Sequence, residues 1–175
     1  MEKAAHTLRS ATPSDADTLV RLWTSTFNDA YHDLHSPQDI NSYCAANYTL
    51  AHATGVLTDG EHECVIAGSG DRSTGLLVIK WAPCPVDMDG PSAELKQIYI
   101  SASAYGTGLG KMLFEKAIAM LVDKNIQWMW LTVSDSNPRA KAFYEKNGFS
   151  HYGAGPDLHV GKDVLASSIL VRRVK

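Results

Sequence analysis

The feature that most constrains the fold is a strand, a glycine turn and a helix that follow one another without a break. The strand reads ELKQIYI over 94–100, the turn carries glycine at three alternate positions, and the helix keeps apolar residues at helical spacing as far as Lys124. The next segment, IQWMWLTV over 126–133, is apolar throughout, which indicates a strand buried on both faces. Two strands joined through such a helix run parallel in one sheet. The unit therefore predicts a layered chain with a helix packed on the sheet.

Helix starts and turn clusters place the other elements. A capping residue stands directly before proline at Thr12-Pro13, Ser36-Pro37 and Asn137-Pro138, a pattern typical of a first helical turn. Short apolar runs bounded by Gly, Pro and Asp indicate strands, namely HECVIAG, TGLLVIKWA, AELKQIYI, VLASSILVRRV and one that begins at Phe149. The order β-α-α-β-β-β-α-β-α-β-β predicts an α/β (α+β) fold in one domain, 1–175, with a mixed, mostly antiparallel sheet of about seven strands and about four flanking helices.

Composition and charge exclude several classes of protein. The chain has 175 residues and a net charge of -3, so it lacks the basic excess that binding to a nucleic-acid backbone requires. No run approaches the roughly 20 apolar residues of a membrane span, and the opening MEKAAHTLRS is too polar for a secretory signal. We therefore expect a cytoplasmic protein with no nucleic-acid partner and no membrane partner.

Cysteine and histidine spacing gives no signal for a disulfide framework or a metal site. The cysteines, Cys44, Cys64 and Cys84, are odd in number and form no CxxC pair. His32 and His35 stand three residues apart, but no matching ligands are evident elsewhere in the sequence. We expect reduced cysteines and no bound metal.

The glycine turn suits an anionic group, because amides at a helix N-terminus are unpaired and the helix dipole favours negative charge there. Gly106, Gly108 and Gly110 do not match the dinucleotide pattern GxGxxG, since the third glycine comes one position early. They do not match GxxxxGK[ST] either, because Met112 follows Gly110 and Lys111. On the residues alone, both a phosphate site and a purely structural turn stay open.

Two segments resemble a known family. ELKQIYISASAYGTGLGKMLF, 94–114, is similar to the acetyl-CoA motif of the GNAT N-acetyltransferase superfamily, in which a strand precedes a [QR]xxGx[GA] turn. Tyr105 stands where that family usually has Gln or Arg. SDSNPRAKAFYEKNGF, 134–149, resembles the family's NxxAxxfYxkxGF segment, and the two segments occur in the family order. The resemblance implies the GNAT fold and an N-acetyltransferase that uses acetyl-CoA as its acyl donor.

The resemblance also implies which residues contact the donor. The acyl-pantetheine arm would pair with exposed backbone groups of Ile98, Tyr99 and Ile100. The pyrophosphate would lie on the turn and the start of the helix, and Asn137 would add a contact besides capping its own helix. The residues implied at the turn are Tyr105, Gly106, Thr107, Gly108, Leu109, Gly110 and Lys111, the last adding a positive charge if its side chain points inward.

Acetyl transfer needs an unprotonated amine, yet a primary amine with a pKa near 10.4 is charged at pH 7. A base must therefore remove a proton. By resemblance, Glu94 is the candidate base, since it lies 11 residues before Tyr105 as in some GNAT enzymes. Tyr144 is the candidate acid for the departing thiolate, and it would also contact the donor.

A looser resemblance concerns the acceptor. Residues 26–49 and 148–164 resemble the matching parts of bacterial PaiA-type spermidine/spermine N-acetyltransferases. This implies a small-molecule amine substrate, and a polyamine would want the aromatic faces and carboxylates that Phe27, Tyr31 and Asp29 supply, with Asp33, Asp39 and Tyr43 nearby. Two alternatives stay open: acetylation of a protein lysine or N-terminus, and a regulatory protein that binds acetyl-CoA without turnover. Exposed strand edges make a homodimer possible.

Overall fold

The structure is a computed structural model that describes residues 6–175. Its strands are β1 Thr7–Ser10, β2 His62–Ser69, β3 Arg72–Lys80, β4 Ser92–Ile100, β5 Trp128–Ser134, β6 Ser150–Ala154, β7 Leu158–Val160, β8 Asp163–Leu165 and β9 Ser167–Arg173. Seven of them form one sheet in the order β1-β2-β3-β4-β5-β9-β6, while β7 and β8 form a separate hairpin. The β4–β5 pairing is parallel and the other pairings of this sheet are antiparallel.

The helices are α1 Ala16–Tyr31, α2 Pro37–Asn47, α3 Leu50–Thr58, α4 Leu109–Asp123 and α5 Pro138–Lys146. Short 3₁₀ turns, Pro13–Asp15 and Ala102–Ala104, precede α1 and follow β4. The three proline starts are confirmed: Thr12, Ser36 and Asn137 each precede a helical segment that begins with proline. No helix formed by residues 6–175 is long and apolar enough to cross a membrane.

The predicted mixed, mostly antiparallel sheet is confirmed, but two local features differ from the prediction. A third helix, α3, follows α2 directly because Thr49 caps it by accepting a hydrogen bond from the His52 amide. The segment 164–174, predicted as one strand, divides between two sheets. Its first residues pair with β7 across a turn at Gly161, and its remainder pairs with β5 and β6.

Apolar side chains divide between the two faces of the sheet. One core lies under α4 and α5 and includes Leu77, Leu95, Leu113, Leu121, Met129 and Phe149. The other lies under α1 and α3 and includes Leu19, Leu22, Trp23, Val56, Leu76 and Val78. The side chains of β4 alternate between these cores, so this strand carries residues to both sides of the sheet.

The sheet opens between its two parallel strands. β4 and β5 pair over only three residues on each strand, from Ser92 opposite Trp128 to Glu94 opposite Trp130. On its other side, β4 carries a bulge at Lys96, because Ile79 pairs with Leu95 and Val78 with Gln97. A bulge bends its strand and increases the local twist, which accounts for β4 leaving β5 at this point. The space between the diverging strands is called the β4–β5 gap below.

Candidate active site

The β4–β5 gap is lined by backbone groups that the sheet does not use. The Ser101 amide donates to the Thr74 carbonyl at 2.8 Å, and antiparallel pairs alternate between bonded and non-bonded residues. Tyr99 therefore turns its backbone to β3, whereas Ile98 and Ile100 turn theirs to the gap. On β5, the Asp135 amide donates to the Ala166 carbonyl, which fixes the same alternation. The backbone groups of Thr132 and Ser134 therefore face the gap. The Ser134 carbonyl already accepts from the Asn137 amide at 3.0 Å, and an extended ligand could pair with the other groups as an added strand does.

The glycine turn lies at the end of this gap, and its glycines differ in role. Gly106 and Gly108 have φ of 72° and 90°, in the left-handed region that favours glycine. Apart from the chain neighbours, no atom of residues 6–175 lies within 4 Å of the position that a Cβ would take at either residue. Gly110 instead has ordinary φ, and a Cβ there would stand 3.1 Å from both Ile100 Cδ1 and Phe143 Cε2. The first two glycines shape the turn, and the third lets α4 pack closely on β4 and α5.

The other side chains of the turn point in different directions. Leu109 is fully buried, so only its backbone faces outward. The Thr107 hydroxyl donates to the Ala104 carbonyl at 2.7 Å and lies 2.9 Å from His6 Nε2. Lys111 is exposed and pairs with Glu115 at 3.6 Å, one turn further along α4. Tyr105 is 37% exposed, and its ring lies under the guanidinium of Arg139, with 3.3 Å between Arg139 Cζ and the ring centroid.

Asn137 begins α5 on the opposite side of the gap. Its Oδ1 accepts a hydrogen bond from the Ala140 amide at 3.1 Å, which confirms its capping role. Capping occupies the carbonyl oxygen of this side chain and leaves its NH₂ group available as a donor.

Tyr144 is buried on α5, and its ring packs between Phe143 and Phe149 with centroid distances of 5.4 and 5.5 Å. Burial raises the pKa of its phenol well above the usual 10, and the nearby Tyr99 raises it further. The phenol is therefore protonated at every pH at which the protein would work. Tyr144 on α5 therefore lies near the side chain of Tyr99, which packs against the core on the other face of the sheet.

Glu94 lies at the closed end of the gap, where β4 and β5 still pair. It is 7% exposed, on the face of the sheet away from α4, because its neighbours Ala93 and Leu95 belong to the α4 core. Lys96 Nζ donates to its Oε1 at 3.3 Å. The carboxylate is thus held against the bulge from which β4 diverges.

Aromatic side chains cover the other side of the gap. We call Phe27, Tyr31, Tyr43, Tyr48 and Tyr99 the aromatic cluster. Phe27 stacks on Tyr43 with a centroid distance of 4.3 Å, and Tyr48 meets Tyr43 edge-on at 5.8 Å. The Tyr48 hydroxyl lies near those of Tyr43 and Tyr99 and opposes the rise that burial causes in the pKa of each.

Burial keeps the hydroxyls of the aromatic cluster neutral. It raises the pKa of Tyr99 to about 12, even though the Tyr48 hydroxyl acts in the opposite direction. It also raises the pKa of Tyr31, against the opposite effect of the nearby Ser134 side chain at the end of β5. Tyr31 thereby joins α1 to the mouth of the gap, and the cluster presents uncharged aromatic faces and hydroxyls to it.

The carboxylates predicted near the acceptor have structural partners. Asp29 Oδ2 accepts from the Ala102 amide at 3.2 Å, which ties α1 to the turn that follows β4. Asp39 accepts from the Ser36 hydroxyl at 2.8 Å in the first turn of α2. Asp33 is exposed and lies 3.3 Å from His32. Of the three, Asp29 is the one attached directly to the end of β4.

Three contributors to the site were missed by the sequence reasoning. Tyr48 and the side chain of Tyr99 join the aromatic cluster through contacts between distant elements, which residue spacing does not reveal. Arg139 stands inside the second motif, but only its contact with Tyr105 singles it out. Among residues 6–175, no group of three or more His, Cys, Asp or Glu side chains is placed to hold a metal ion.

Comparisons with known proteins agree with this geometry. A model of the Acetyltransferase (GNAT) family matches residues 17–149. The chain is 30% identical over 140 residues to an uncharacterized N-acetyltransferase of Mycobacterium tuberculosis, covering 80% of this chain and 86% of that protein. It is 40% identical over 73 residues to the ribosomal protein bS18-alanine N-acetyltransferase of Haemophilus influenzae, covering 42% of this chain and 48% of that protein.

Among solved structures, the PaiA N-acetyltransferase from Thermoplasma acidophilum in complex with coenzyme A shares the fold. Its TM-score is 0.75 at 20% sequence identity, over 97% of this chain and 99% of that chain. The family match extends over most of the chain and includes the gap, the turn and α5. The chain therefore belongs to the GNAT family of acetyltransferases and is an N-acetyltransferase with acetyl-CoA as its acyl donor.

Proposed function

We propose that this enzyme moves the acetyl group of acetyl-CoA directly to a primary amine held between the β4–β5 gap and the aromatic cluster. The observation that carries the proposal is the gap itself, where the free backbone groups of Ile98 and Ile100 stand on either side of Tyr99, a residue close enough to the buried Tyr144 phenol to raise its pKa. Acetyl-CoA supplies an acyl group activated as a thioester. The chain positions this group, takes a proton from the amine and stabilises the departing thiolate.

The donor would be held by three sets of groups. Ile98 and Ile100 offer backbone donors and acceptors to the amide-bearing pantetheine arm. The amides from Gly106 to Gly110 offer a cradle for the pyrophosphate at the start of α4, whose dipole favours negative charge. Asn137 offers its NH₂ group from the opposite side of the gap.

The amine would lose its proton to Glu94. Glu94 stands four residues before Ile98, roughly 13 Å along an extended strand, so the proton would travel through water between the amine and the carboxylate. Lys96 Nζ lies 3.3 Å from this carboxylate and forms an ion pair with it.

Tyr144 would stabilise the departing thiolate. Proton transfer from a phenol of pKa 10 to a thiolate whose acid has a pKa near 8.5 is already uphill by about 2 kcal/mol. Burial raises the pKa of Tyr144 further, so full transfer is harder still. The phenol therefore acts by donating a hydrogen bond to the charge that develops on sulfur.

A small amine with an alkyl chain suits the acceptor side best, and a polyamine such as spermidine or spermine is the first to test. Phe27, Tyr31 and their neighbours offer aromatic faces to an ammonium group, and Asp29 places a carboxylate at the end of β4. The phenols are neutral, so Asp29 would supply the charge for a second ammonium group.

The experiment is an acceptor panel with the intact chain. Thiol release from acetyl-CoA is followed with spermidine, spermine, single amines, amino acids, a lysine peptide and a peptide with an N-terminal alanine. We expect release above the hydrolysis background with small primary amines, and fastest with polyamines. Release with peptides alone would replace the proposal with protein acetylation, as the bS18-alanine relative performs. Binding of acetyl-CoA without release for any acceptor would replace it with a regulatory role.

A further inference from the structure

A stacked pair spans the mouth of the donor site. Arg139, the second residue of α5, places its guanidinium 3.3 Å from the centroid of the Tyr105 ring, which directly precedes the glycine turn. The two residues belong to opposite sides of the β4–β5 gap. The contact therefore links a cation of α5 to the residue that directly precedes Gly106.

The charge of Arg139 has no other evident use in the described part of the chain. No carboxylate of residues 6–175 lies within 4 Å of its guanidinium, and none of the side-chain hydrogen bonds among them involves it. A cation in the first turn of a helix is also opposed by the helix dipole. Arg139 is exposed, so neither core packing nor helix stability explains its position.

We propose that Arg139 supplies the cation that binds the pyrophosphate of the donor, in place of the side chain that Tyr105 does not offer. The inference rests on the proposed donor site. Lys111 does not take this part, because it is directed to Glu115 along α4. Tyr105 is a positioning residue: its ring holds the guanidinium plane beside the turn.

The chemistry of the pair fits this division of work. A guanidinium that stacks on an aromatic ring uses its face for the ring and keeps the N–H groups at its edge for an acceptor. Those N–H groups form a planar fork that matches the geometry of phosphate oxygens. Stacking also fixes the long side chain before the ligand arrives, which lowers the entropy lost on binding.

The test measures binding, independent of turnover. Isothermal titration compares three ligands. CoA carries the pyrophosphate and the 3′-phosphate, dephospho-CoA carries the pyrophosphate alone, and acetyl-pantetheine carries no pyrophosphate. We expect Arg139→Gln to weaken CoA and dephospho-CoA equally, by about tenfold, and to leave acetyl-pantetheine unchanged. Arg139→Lys, which keeps the charge but loses the fork, should lie between. Lys146→Gln, which removes a charge from the last turn of the same helix, is the matched control and should bind like the wild type.

Variants at Tyr105 separate a binding role from a structural one. Tyr105→Phe keeps the ring and should keep CoA affinity, whereas Tyr105→Leu removes the face on which Arg139 rests and should weaken CoA severalfold. In the Arg139→Gln background, Tyr105→Arg restores a cation at the family position and should recover most of the lost affinity. Thermal unfolding of each variant checks that it is folded.

Three results would overturn the inference. They are unchanged CoA affinity in a folded Arg139→Gln variant, a loss confined to CoA with dephospho-CoA unaffected, and a failure of Tyr105→Arg to rescue. The second result would assign Arg139 to the 3′-phosphate instead. Failure of the wild-type chain to bind CoA at all would instead contradict the donor site on which the inference rests.

Discussion

At the scale of single residues, Tyr144 and Glu94 carry the proposed chemistry from two ends of the gap. We expect Tyr144→Phe to lower kcat by about 100-fold while the Kd for acetyl-CoA stays within about twofold of the wild-type value. The variant loses only the hydroxyl and keeps the ring between Phe143 and Phe149. Thiol-release kinetics and titration of acetyl-CoA measure the two quantities. Equal kcat values would remove Tyr144 from the chemical step.

Glu94→Gln should move the pH dependence of kcat/KM towards alkaline pH. Without the carboxylate, the reaction depends on amine that is already deprotonated in solution, and that fraction rises tenfold per pH unit below the amine's pKa. Rates measured from pH 6 to 10 with one acceptor give the profile. Lys96→Met, which removes the cation beside Glu94 and leaves the carboxylate, serves as the comparison. A profile that Glu94→Gln does not change would exclude Glu94 as the base.

At the scale of elements, the glycine turn depends on two separate physical requirements. Gly108→Ala should destabilise the chain by about 1 kcal/mol because its φ of 90° is strained for a side chain, and Gly108→Asn should cost less. Gly110→Ala should also destabilise by about 1 kcal/mol, but through contact with Ile100 and Phe143. Ile100→Val removes the Cδ1 methyl group that the new Cβ would meet, so it should offset part of the destabilisation caused by Gly110→Ala. Unfolding in urea measures each variant, and a strictly additive double variant would argue against the contact.

The sequence allowed most strands of the seven-stranded sheet, the proline-led helices and the two motifs to be predicted, because capping residues and apolar spacing act locally, but not the β7–β8 hairpin. The glycine turn could be located but its three glycines could not be told apart, since Gly110 owes its role to side chains from β4 and α5. The bulge at Lys96 follows from pairing with β3, and the stacking of Arg139 on Tyr105 joins elements distant in the chain. Such contacts form only when the elements pack. The acceptor side was least predictable for the same reason, since Tyr48 enters the cluster from the loop before α3.

At the scale of the whole molecule, one ion pair, in which exposed Arg9 contacts the buried carboxylate of Asp15, gives stability a predictable dependence on pH. The hydrogen bond from Arg9 and those from the Thr12 amide and hydroxyl hold the pKa of Asp15 well below its usual value. A lowered pKa contributes stability above the unfolded value near 3.9, and the contribution disappears as pH falls through the folded value. Asp15→Asn should therefore cost about 1 kcal/mol of unfolding free energy at pH 7 and progressively less below pH 4. If the difference in unfolding free energy between Asp15→Asn and the wild type stayed constant from pH 7 to pH 3, the lowered pKa of Asp15 would not be its cause.

The central claim, that acetyl-CoA lies along β4 and on the glycine turn, is tested most directly by amide hydrogen exchange with and without acetyl-CoA. Among the described residues, the amides of Ile98 and Ile100 and those of Gly106, Gly108, Leu109 and Gly110 have no backbone partner, so they should exchange quickly in the free chain. Saturating acetyl-CoA should slow exchange in peptides that cover 97–111, with a smaller effect at the start of α5. Binding that leaves exchange over 97–111 unchanged, or that protects only other surfaces, would contradict this placement of the donor.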